Sequence, residues 1–123
     1  MASILVVDDN VDVLDTITAI VRSAGHRVAK ATNGNDALEY LDSDFPLDLL
    51  ITDIVMPGMN GLSLARLVRD RRPSARILYI TGFSDLPDLQ QDLGTRLGKL
   101  LKKPLLPRDL KREVDEALAT RPH

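Results

Sequence analysis

Three aspartates and one lysine stand within two residues of the ends of short apolar runs, and their types could support phosphoryl chemistry: Asp8, Asp9, Asp53 and Lys103. Carboxylates gathered within a few ångströms repel one another and need a cation at neutral pH. The set offers oxygen donors and contains no His or Cys, so a hard ion is expected. Mg²⁺ fits best, because it binds one or two carboxylates, keeps several waters and accepts a phosphate oxygen.

A metal-bound carboxylate beside a lysine is a plausible nucleophile toward phosphorus, and Asp53 is our candidate for the group that accepts a phosphoryl group. Phosphoryl transfer mainly requires positioning and neutralisation of charge. Lys103 would supply an ammonium and Thr81, at the end of another apolar run, a hydroxyl. Gly82 leaves the neighbouring backbone uncrowded, so its N–H can approach an incoming oxygen.

These residues must be brought together by the elements that precede them. Short, nearly continuous apolar runs are typical of strands buried on both faces of a parallel sheet. Five such runs occur, the last one weaker than the others: Ile4–Val7, Val28–Ala31, Leu47–Ile51, Ile77–Ile80 and Leu100–Leu101. Between and after them, apolar residues recur at helical spacing, and they predict five helices. The markers are Leu14, Ile17, Val21 and Ala24; Leu38 and Leu41; Leu64, Leu67 and Val68; Leu86, Leu89 and Leu93; and Leu110, Val114 and Leu118.

Five strands alternating with five helices predict an α/β fold with a central parallel sheet and right-handed crossovers. In such sheets, ligands bind at the carboxyl ends of the strands. The polar residues that end the first, third, fourth and fifth strands are therefore expected to converge at one edge.

The length of 123 residues and the composition predict a single domain that spans residues 1–123. A net charge of −2 and 3 % aromatic residues do not favour nucleic acid or an anionic membrane as a partner. No apolar run approaches the roughly 20 residues that cross a bilayer. The first residues carry no basic segment, so we expect a cytoplasmic location.

The motifs together resemble the receiver domain of two-component response regulators, which also occurs in hybrid sensor histidine kinases. They are Asp8-Asp9, Asp53 followed by Met56-Pro57-Gly58, Thr81-Gly82 and Lys103-Pro104, and their order and spacing agree over essentially the whole chain. The resemblance implies a doubly wound, flavodoxin-like (βα)5 fold with strand order 2-1-3-4-5. It also implies a signalling domain, not a conventional enzyme, that takes a phosphoryl group from a histidine kinase or a histidine phosphotransfer protein with Mg²⁺.

The resemblance further implies a role for each matching residue. Asp53 would be the phosphoacceptor, Asp9 a direct metal ligand and Asp8 a ligand acting largely through water. The backbone carbonyl of Val55 would complete the metal's protein ligands.

The remaining implied roles concern the switch. Thr81 would move to the phosphoryl oxygens and Lys103 would pair with them. The Lys103–Pro104 peptide is usually cis in this family. A downstream partner would read the face formed by the fourth helix, the fifth strand and the fifth helix.

Three positions depart from the usual pattern of the family. Leu100 stands where an aromatic switch residue is common, and Val55 stands where a polar residue is common. Phe83, two residues after Thr81, is also bulky and apolar. Our hypothesis is that Val55 and Phe83 restrict water at the phosphoryl group and change the lifetime of the aspartyl-phosphate.

Two other functions compete with this interpretation. A Mg²⁺-dependent phosphohydrolase can also form an aspartyl-phosphate, but it generally needs an acid two residues after the nucleophile, where Val55 stands. A nucleotide- or flavin-binding module needs a phosphate cradle after the first strand, where this chain has acids instead of glycines.

We assign no chemical role to the two histidines, to Lys102 or to a group of five arginines. His26 and His123 are expected to be inert, and Lys102 is expected to remain solvated. Five arginines are interpreted as a solvated face of the third helix and its exit: Arg66, Arg69, Arg71, Arg72 and Arg76.

Overall fold

The computed structural model describes residues 2–82, 99–103 and 105–119. The strands are β1 (Ser3–Val7), β2 (Arg27–Ala31), β3 (Leu49–Asp53), β4 (Arg76–Thr81) and β5 (Lys99–Lys102). The helices are α1 (Val11–Ser23), α2 (Gly34–Leu41), α3 (Gly61–Arg71) and α4 (Pro107–Ala119). The fourth predicted helix, marked by Leu86, Leu89 and Leu93, lies outside the described residues. The label α4 therefore belongs to the helix that the sequence predicts as the fifth.

The five strands form one parallel sheet in the order β2-β1-β3-β4-β5, which confirms the predicted fold class and strand order. Every residue of β1 and β3 is buried. These two strands lie inside the sheet, so their apolar side chains are covered on both faces, as the continuous apolar runs predict. The carboxyl ends of β1, β3 and β4 consequently lie side by side.

The core has two layers, one on each face of the sheet. Residues at alternate positions of a strand point to opposite faces. On one face, the strand side chains pack with α2 and α3, through residues such as Leu5, Tyr79 and Leu64. On the other face, they pack with α1 and α4, through residues such as Ile17 and Leu110. Burial on both faces fixes the register of β1, β3 and β4, because a slip of one residue would exchange the two layers.

Asparagine caps determine where three helices begin. The side-chain oxygen of Asn10 accepts hydrogen bonds from the backbone N–H groups of Asp12 and Val13 at the start of α1. Asn33 and Asn60 cap α2 and α3 in the same manner. Such caps satisfy N–H groups that have no partner within the helix. Each capped helix follows the carboxyl end of a strand, so the caps also fix the loops around the predicted site.

Gly61 is required by a close approach of α3 to β3. A Cβ atom built at Gly61 would overlap the carbonyl oxygen of Asp53 and would lie 2.9 Å from the Cα atom of Ile54. The Gly61 N–H also donates a hydrogen bond of 2.8 Å to the carbonyl oxygen of Ile54. The first turn of α3 therefore rests directly on the backbone of the candidate phosphoacceptor.

One of the five arginines does not belong to a solvated face, and the prediction is wrong for it. The guanidinium of Arg72 donates hydrogen bonds to the carbonyl oxygens of Leu41, Ser43 and Phe45 at 2.7–3.0 Å. These carbonyls belong to the last residue of α2 and to the loop after it, where backbone acceptors lack partners within the helix. Arg72 thus joins α3 to the loop after α2.

Among the described residues, no helix has the length and apolar character that a bilayer crossing demands.

We expect Gly61→Ala to destabilise the protein by about 1–3 kcal/mol, because the added methyl group must displace backbone atoms and cannot be accommodated by a side-chain rotation. The free energy of unfolding in urea measures this effect. Gly82→Ala is the matched control, since a Cβ atom built at Gly82 meets nothing within 4 Å. Equal stability of the two variants would contradict the inferred contact between α3 and β3.

Candidate functional site

The structure brings three predicted carboxylates together at the carboxyl edge of the sheet. Asp8 follows β1 directly and is fully buried, Asp9 is exposed, and Asp53 is the last residue of β3 and is 5 % exposed. One carboxylate oxygen from each of the three lies within 4.8 Å of the others. The adjacency of β1 and β3 in the sheet produces this cluster.

Lys103 supplies positive charge to the two buried members of the cluster. Its ammonium Nζ lies 2.9 Å from Asp8 Oδ2 and 3.1 Å from Asp53 Oδ2. The lysine side chain is 23 % exposed, whereas both carboxylates are almost inaccessible. An ion pair is much less screened when its members are buried, so these two contacts matter more than pairs on the surface. The structure therefore places the Lys103 ammonium beside the carboxylates, and its part in phosphoryl chemistry stays a prediction.

Backbone hydrogen bonds hold the site residues in position. The second oxygen of Asp8, Oδ1, accepts a hydrogen bond of 2.9 Å from the N–H of Asn10, which also caps α1. The N–H of Lys103 donates a bond of 2.9 Å to the carbonyl oxygen of Thr81. The loop after β5 is therefore attached to the end of β4, and a shift of Thr81 would reach Lys103 through the backbone.

Thr81 ends β4 one residue beyond Ile80, the residue that pairs with Asp53 in the sheet. Its side chain is fully buried, and its hydroxyl has no hydrogen-bond partner in the part of the chain that is described. A buried hydroxyl without a partner is costly, and it marks a place where an additional acceptor would be stabilising. Gly82 beside it lies in open space, with nothing within 4 Å of the position of a Cβ atom.

The electrostatic environment changes the pKa of two site residues. Burial raises the pKa of the Asp53 carboxyl, the charge of Asp8 raises it further, and Lys103 acts in the opposite direction without cancelling the rise. Burial alone would lower the pKa of the Lys103 ammonium, but its contacts with Asp8 and Asp53 outweigh burial and raise that pKa. Burial is thus the main reason why the charged form of Asp53 is disfavoured, and the charge of Asp8 adds to it.

The donor set fits a hard divalent cation. The cluster of Asp8, Asp9 and Asp53 offers three carboxylate oxygens and no nitrogen or sulfur ligand, and one lysine does not balance three negative charges. Oxygen ligands of this kind are those that Mg²⁺ prefers. The raised pKa of Asp53 is consistent with a site in which additional positive charge would be stabilising.

The other residues discussed from the sequence lie outside the cluster of carboxylates and differ in their exposure and contacts. Val55 lies in the loop after β3 and is 54 % exposed. Leu100 is half-buried and packs against the core layer of α2 and α3, so it is not an open contact surface. His26 accepts a hydrogen bond at Nδ1 from the backbone of Ala2, remote from the cluster in the fold. Phe83, Pro104 and His123 lie outside the described residues, as does the peptide predicted to be cis.

Two features of the site were missed in the sequence. Gly61 forms the contact between α3 and Asp53, and Asn60 before it caps the helix. The Asn-Gly pair at the start of a segment with helical period was an available signal for the cap. No sequence pattern reveals the close approach of Gly61, because it depends on where α3 crosses β3.

We expect Asp53→Asn to raise the free energy of unfolding at pH 7, without divalent ions, by roughly 1–2 kcal/mol, the ordinary size of a single-residue effect. The amide removes a buried negative charge but keeps the shape of the side chain. Asp15→Asn is the control, because its ion pair with Lys30 is about half exposed and contributes little. A loss of stability in Asp53→Asn would contradict the unfavourable burial of the charge.

The pH dependence of this effect follows from the direction of the shift. The pKa of Asp53 is raised in the folded state, so folding takes up protons between the ordinary pKa of an aspartate, 3.8, and the higher pKa of the folded state. Stability contributed by this group therefore falls as the pH rises through that window. Urea unfolding at several pH values should show the difference between Asp53→Asn and wild type growing over this range, and a constant difference would contradict it.

The chain was compared with known families and proteins. The model of the response regulator receiver domain family matches residues 4–115. The receiver protein CpdR of Brucella abortus is 36 % identical over 118 residues, which cover 96 % of this chain and 98 % of CpdR. The transcriptional regulatory protein PgtA of Salmonella typhimurium is 34 % identical over 119 residues, which cover 97 % of this chain but 28 % of PgtA. The chain therefore matches a complete relative in one case and a part of a longer relative in the other.

Solved structures agree with this result. A receiver domain protein from Clostridium thermocellum has a TM-score of 0.85 at 26 % identity, with coverage of 97 % of this chain and 95 % of that structure. A CheY-like receiver domain protein from Methanospirillum hungatei has a TM-score of 0.85 at 28 % identity, with coverage of 97 % and 94 %. Together with the match of the family model, the strand order and the carboxylate cluster, these similarities show that the chain belongs to the response regulator receiver domain family of two-component signalling systems.

Proposed function

We propose that residues 1–123 form a single receiver domain that accepts a phosphoryl group on Asp53 from a phosphohistidine donor with Mg²⁺. The observation that carries this proposal is the buried carboxylate of Asp53, paired with Lys103 at 3.1 Å. At the same sheet edge lies the hydroxyl of Thr81, which has no hydrogen-bond partner among the described residues. A nucleophile, a cation and a free hydrogen-bond donor are thus gathered at adjacent strand ends. The receiver family supplies the class of function, two-component phosphoacceptor signalling.

In the proposed reaction, a carboxylate oxygen of Asp53 forms a bond to phosphorus while the bond between phosphorus and the donor's imidazole nitrogen breaks. The nitrogen leaves with the bonding electron pair, and the phosphoryl group becomes part of an acyl phosphate. Lys103 pairs with the negative oxygens during transfer, and Thr81 donates its hydroxyl to one of them afterwards. Both residues act by charge and position, which are the main requirements of phosphoryl transfer.

The carboxylates of Asp8, Asp9 and Asp53 would hold Mg²⁺, with the backbone carbonyl of Val55 as a further proposed ligand. Bound there, the ion supplies positive charge that lowers the repulsion between the acidic cluster and an incoming phosphoryl group. The exposed position of Asp9 beside two buried carboxylates gives the ion a route of entry from solvent.

A protein donor, a histidine kinase or a histidine phosphotransfer protein, is the proposed source of the phosphoryl group. A cavity of about 470 Å³ extends from Lys103 along α1 and is lined by Ile17, Ile20 and Leu105 among others. Its apolar wall next to the acidic site supports docking of a protein surface there. A downstream partner is proposed to bind the face that includes β5 and α4. We propose no direct contact of the domain with nucleic acid or with a membrane. The proposed location of the domain is the cytoplasm.

The proposed phosphorylated state ends when the domain slowly hydrolyses its own acyl phosphate. This reaction distinguishes the domain from a phosphohydrolase, which turns over an external substrate. A conventional general acid would have to stand two residues after Asp53, and Val55 has no titratable group. No described contact favours the phosphohydrolase or a nucleotide-binding module over the receiver.

We expect wild type, incubated with acetyl phosphate and Mg²⁺, to gain the mass of one phosphoryl group, because Asp53 is the nucleophile. Asp53→Asn should gain none, and Asp15→Asn should behave as wild type, since Asp15 is an exposed member of a surface ion pair. Intact-mass spectrometry under conditions that preserve acyl phosphates measures the result. Phosphorylation of Asp53→Asn at the wild-type level would disprove the assignment of Asp53.

We expect Val55→Asn to shorten the lifetime of the phosphorylated state by about tenfold, equivalent to 1.4 kcal/mol in the barrier, because an amide can hold water that an isopropyl group excludes. The rate of phosphate release from the purified phosphoprotein measures it. Val11→Asn is a matched control, because Val11 and Val55 are 55 % and 54 % exposed. Identical rates in Val55→Asn and wild type would contradict the hypothesis. The companion hypothesis for Phe83, tested by Phe83→Ala, concerns a residue outside the described part.

A further inference from the structure

A groove of about 640 Å³ lies beside β2, which is an edge strand of the sheet. Its lining comes from α1, from the end of β2, and from α2 with the turn that follows it. Because α1 and α2 pack on opposite faces of the sheet, the groove spans the sheet edge from one helix to the other. It shares no lining residue with the cavity beside Lys103, so the two are separate surfaces.

The floor of the groove is apolar and firmly held. Leu14 of α1 is 2 % exposed, and Ala31, the last residue of β2, is 5 % exposed. The carbonyl oxygen of Ala31 accepts a hydrogen bond of 3.2 Å from the N–H of Asp8, which ties the floor to the backbone of the candidate site. Tyr40 lines the groove as well, and its ring packs edge-on against Phe45 with 5.7 Å between the ring centroids. Tyrosine is a residue type that is enriched at protein interfaces.

The charged residues that line the groove are mostly acidic. Three carboxylates and one ammonium are among them: Asp15, Asp36, Glu39 and Lys30. The ammonium is already paired, because Lys30 Nζ lies 2.9 Å from Asp15 Oδ1. Asp36 and Glu39 are exposed and three positions apart on α2, so they are neighbours on the helix surface. The groove therefore keeps the negative charge of two carboxylates on its α2 side.

Glu39 is the carboxylate that is most available to a partner. Its side chain has no hydrogen-bond or ion-pair partner among the described residues, whereas Asp36 Oδ2 accepts a hydrogen bond of 3.1 Å from Asn33 Nδ2. Charges at an interface select partners of the opposite sign and repel those of the same sign. The acidic side of the groove thus disfavours nucleic acid or an anionic membrane and favours a polypeptide that carries arginine or lysine.

We propose that this groove binds a partner protein through a basic segment in which an apolar side chain stands between arginine or lysine residues. The apolar side chain covers Leu14 and Ala31, and a flanking cation pairs with Glu39. The groove is a third surface, besides the donor surface proposed next to Lys103 and the downstream surface proposed at β5 and α4. Its binding involves no phosphoryl group, so the inference stands apart from the proposed chemistry of Asp53.

NMR titration of the ¹⁵N-labelled chain with blocked, glycine-flanked peptides tests the inference. The probes are Arg-Leu-Arg, Arg-Gly-Arg and Glu-Leu-Glu, and Mg²⁺ is present throughout so that the carboxylates around Asp53 do not compete for arginine. We expect Arg-Leu-Arg to shift the amide resonances of the groove residues and to saturate with a dissociation constant of about 1 mM. Arg-Gly-Arg should bind about tenfold more weakly, because it cannot cover the apolar floor.

Two charge variants separate the groove from a general attraction between opposite charges. Glu39→Gln and Asp115→Asn each remove one negative charge, and Asp115 is an exposed residue of α4 outside the groove lining. We expect Glu39→Gln to weaken binding of Arg-Leu-Arg about threefold, the ordinary effect of an exposed ion pair, and Asp115→Asn to leave it unchanged. Glu39→Arg should bind Glu-Leu-Glu more tightly than wild type does, because the charge at this position is then reversed.

Several results would overturn the inference. Arg-Leu-Arg that produces no saturable shifts, or shifts confined to residues outside the groove lining, would show that the groove is not a docking site. Equal affinities of Arg-Leu-Arg and Arg-Gly-Arg would reduce it to an acidic patch without an apolar contact. Equal weakening by Glu39→Gln and Asp115→Asn would show that the net charge of the protein, and not the groove, attracts the peptide.

Discussion

The position of the Lys103 ammonium between two buried carboxylates is the interaction on which the candidate site depends. Asp8 and Asp53 come from neighbouring strands, and their negative charges would repel each other without it. Burial makes both the repulsion and the compensation stronger than they would be in water. Compensation is incomplete, because one ammonium faces a cluster of three carboxylates and the pKa of Asp53 stays raised. The apoprotein therefore carries an unbalanced negative charge that a divalent cation can offset.

The parallel sheet makes this arrangement possible. All strands of a parallel sheet end at the same edge, so residues far apart in the chain meet there. The apolar residues of β1, β3 and β4 are buried, and the polar residues at the carboxyl ends of these strands are held where the core meets the loops. The asparagine caps of α1 and α3 and the glycine contact at Gly61 then fix the loops that continue from β1 and β3. The hydrogen bond from the Lys103 N–H to the Thr81 carbonyl oxygen holds the loop after β5 against the end of β4.

The carboxyl edge of the sheet combines carboxylates that are held by ion pairs with buried hydroxyl groups that lack hydrogen-bond partners among the described residues. Asp8 and Asp53 are fixed by short strands and by ion pairs, whereas Thr81 and Tyr79 have buried hydroxyls without acceptors in the described region. Unsatisfied groups cost stability, and such costs are commonly concentrated at functional sites. A domain that must change shape on a chemical signal needs a part whose alternative arrangement is close in free energy. At the end of β4, the buried hydroxyl of Thr81 is a described group for which a new acceptor would relieve such a cost.

The sequence by itself predicted the fold class, the strand order through the family resemblance, and Asp8, Asp9, Asp53, Thr81 and Lys103 as candidate site residues. It could do so because apolar runs, helical periods and the polar residues that end the strands are local patterns that survive without coordinates. The tertiary structure alone decided which oxygens Lys103 contacts, how deeply Asp53 is buried, and that the hydroxyls of Thr81 and Tyr79 have no hydrogen-bond partner among the described residues. It also revealed the contact at Gly61 and the structural role of Arg72. These features depend on which elements cross and how closely, and no local pattern encodes a distance between strands that are separated by many residues. Asp53 is thus recognisable from its place in the sequence, but its chemistry is set by the neighbours that folding brings to it.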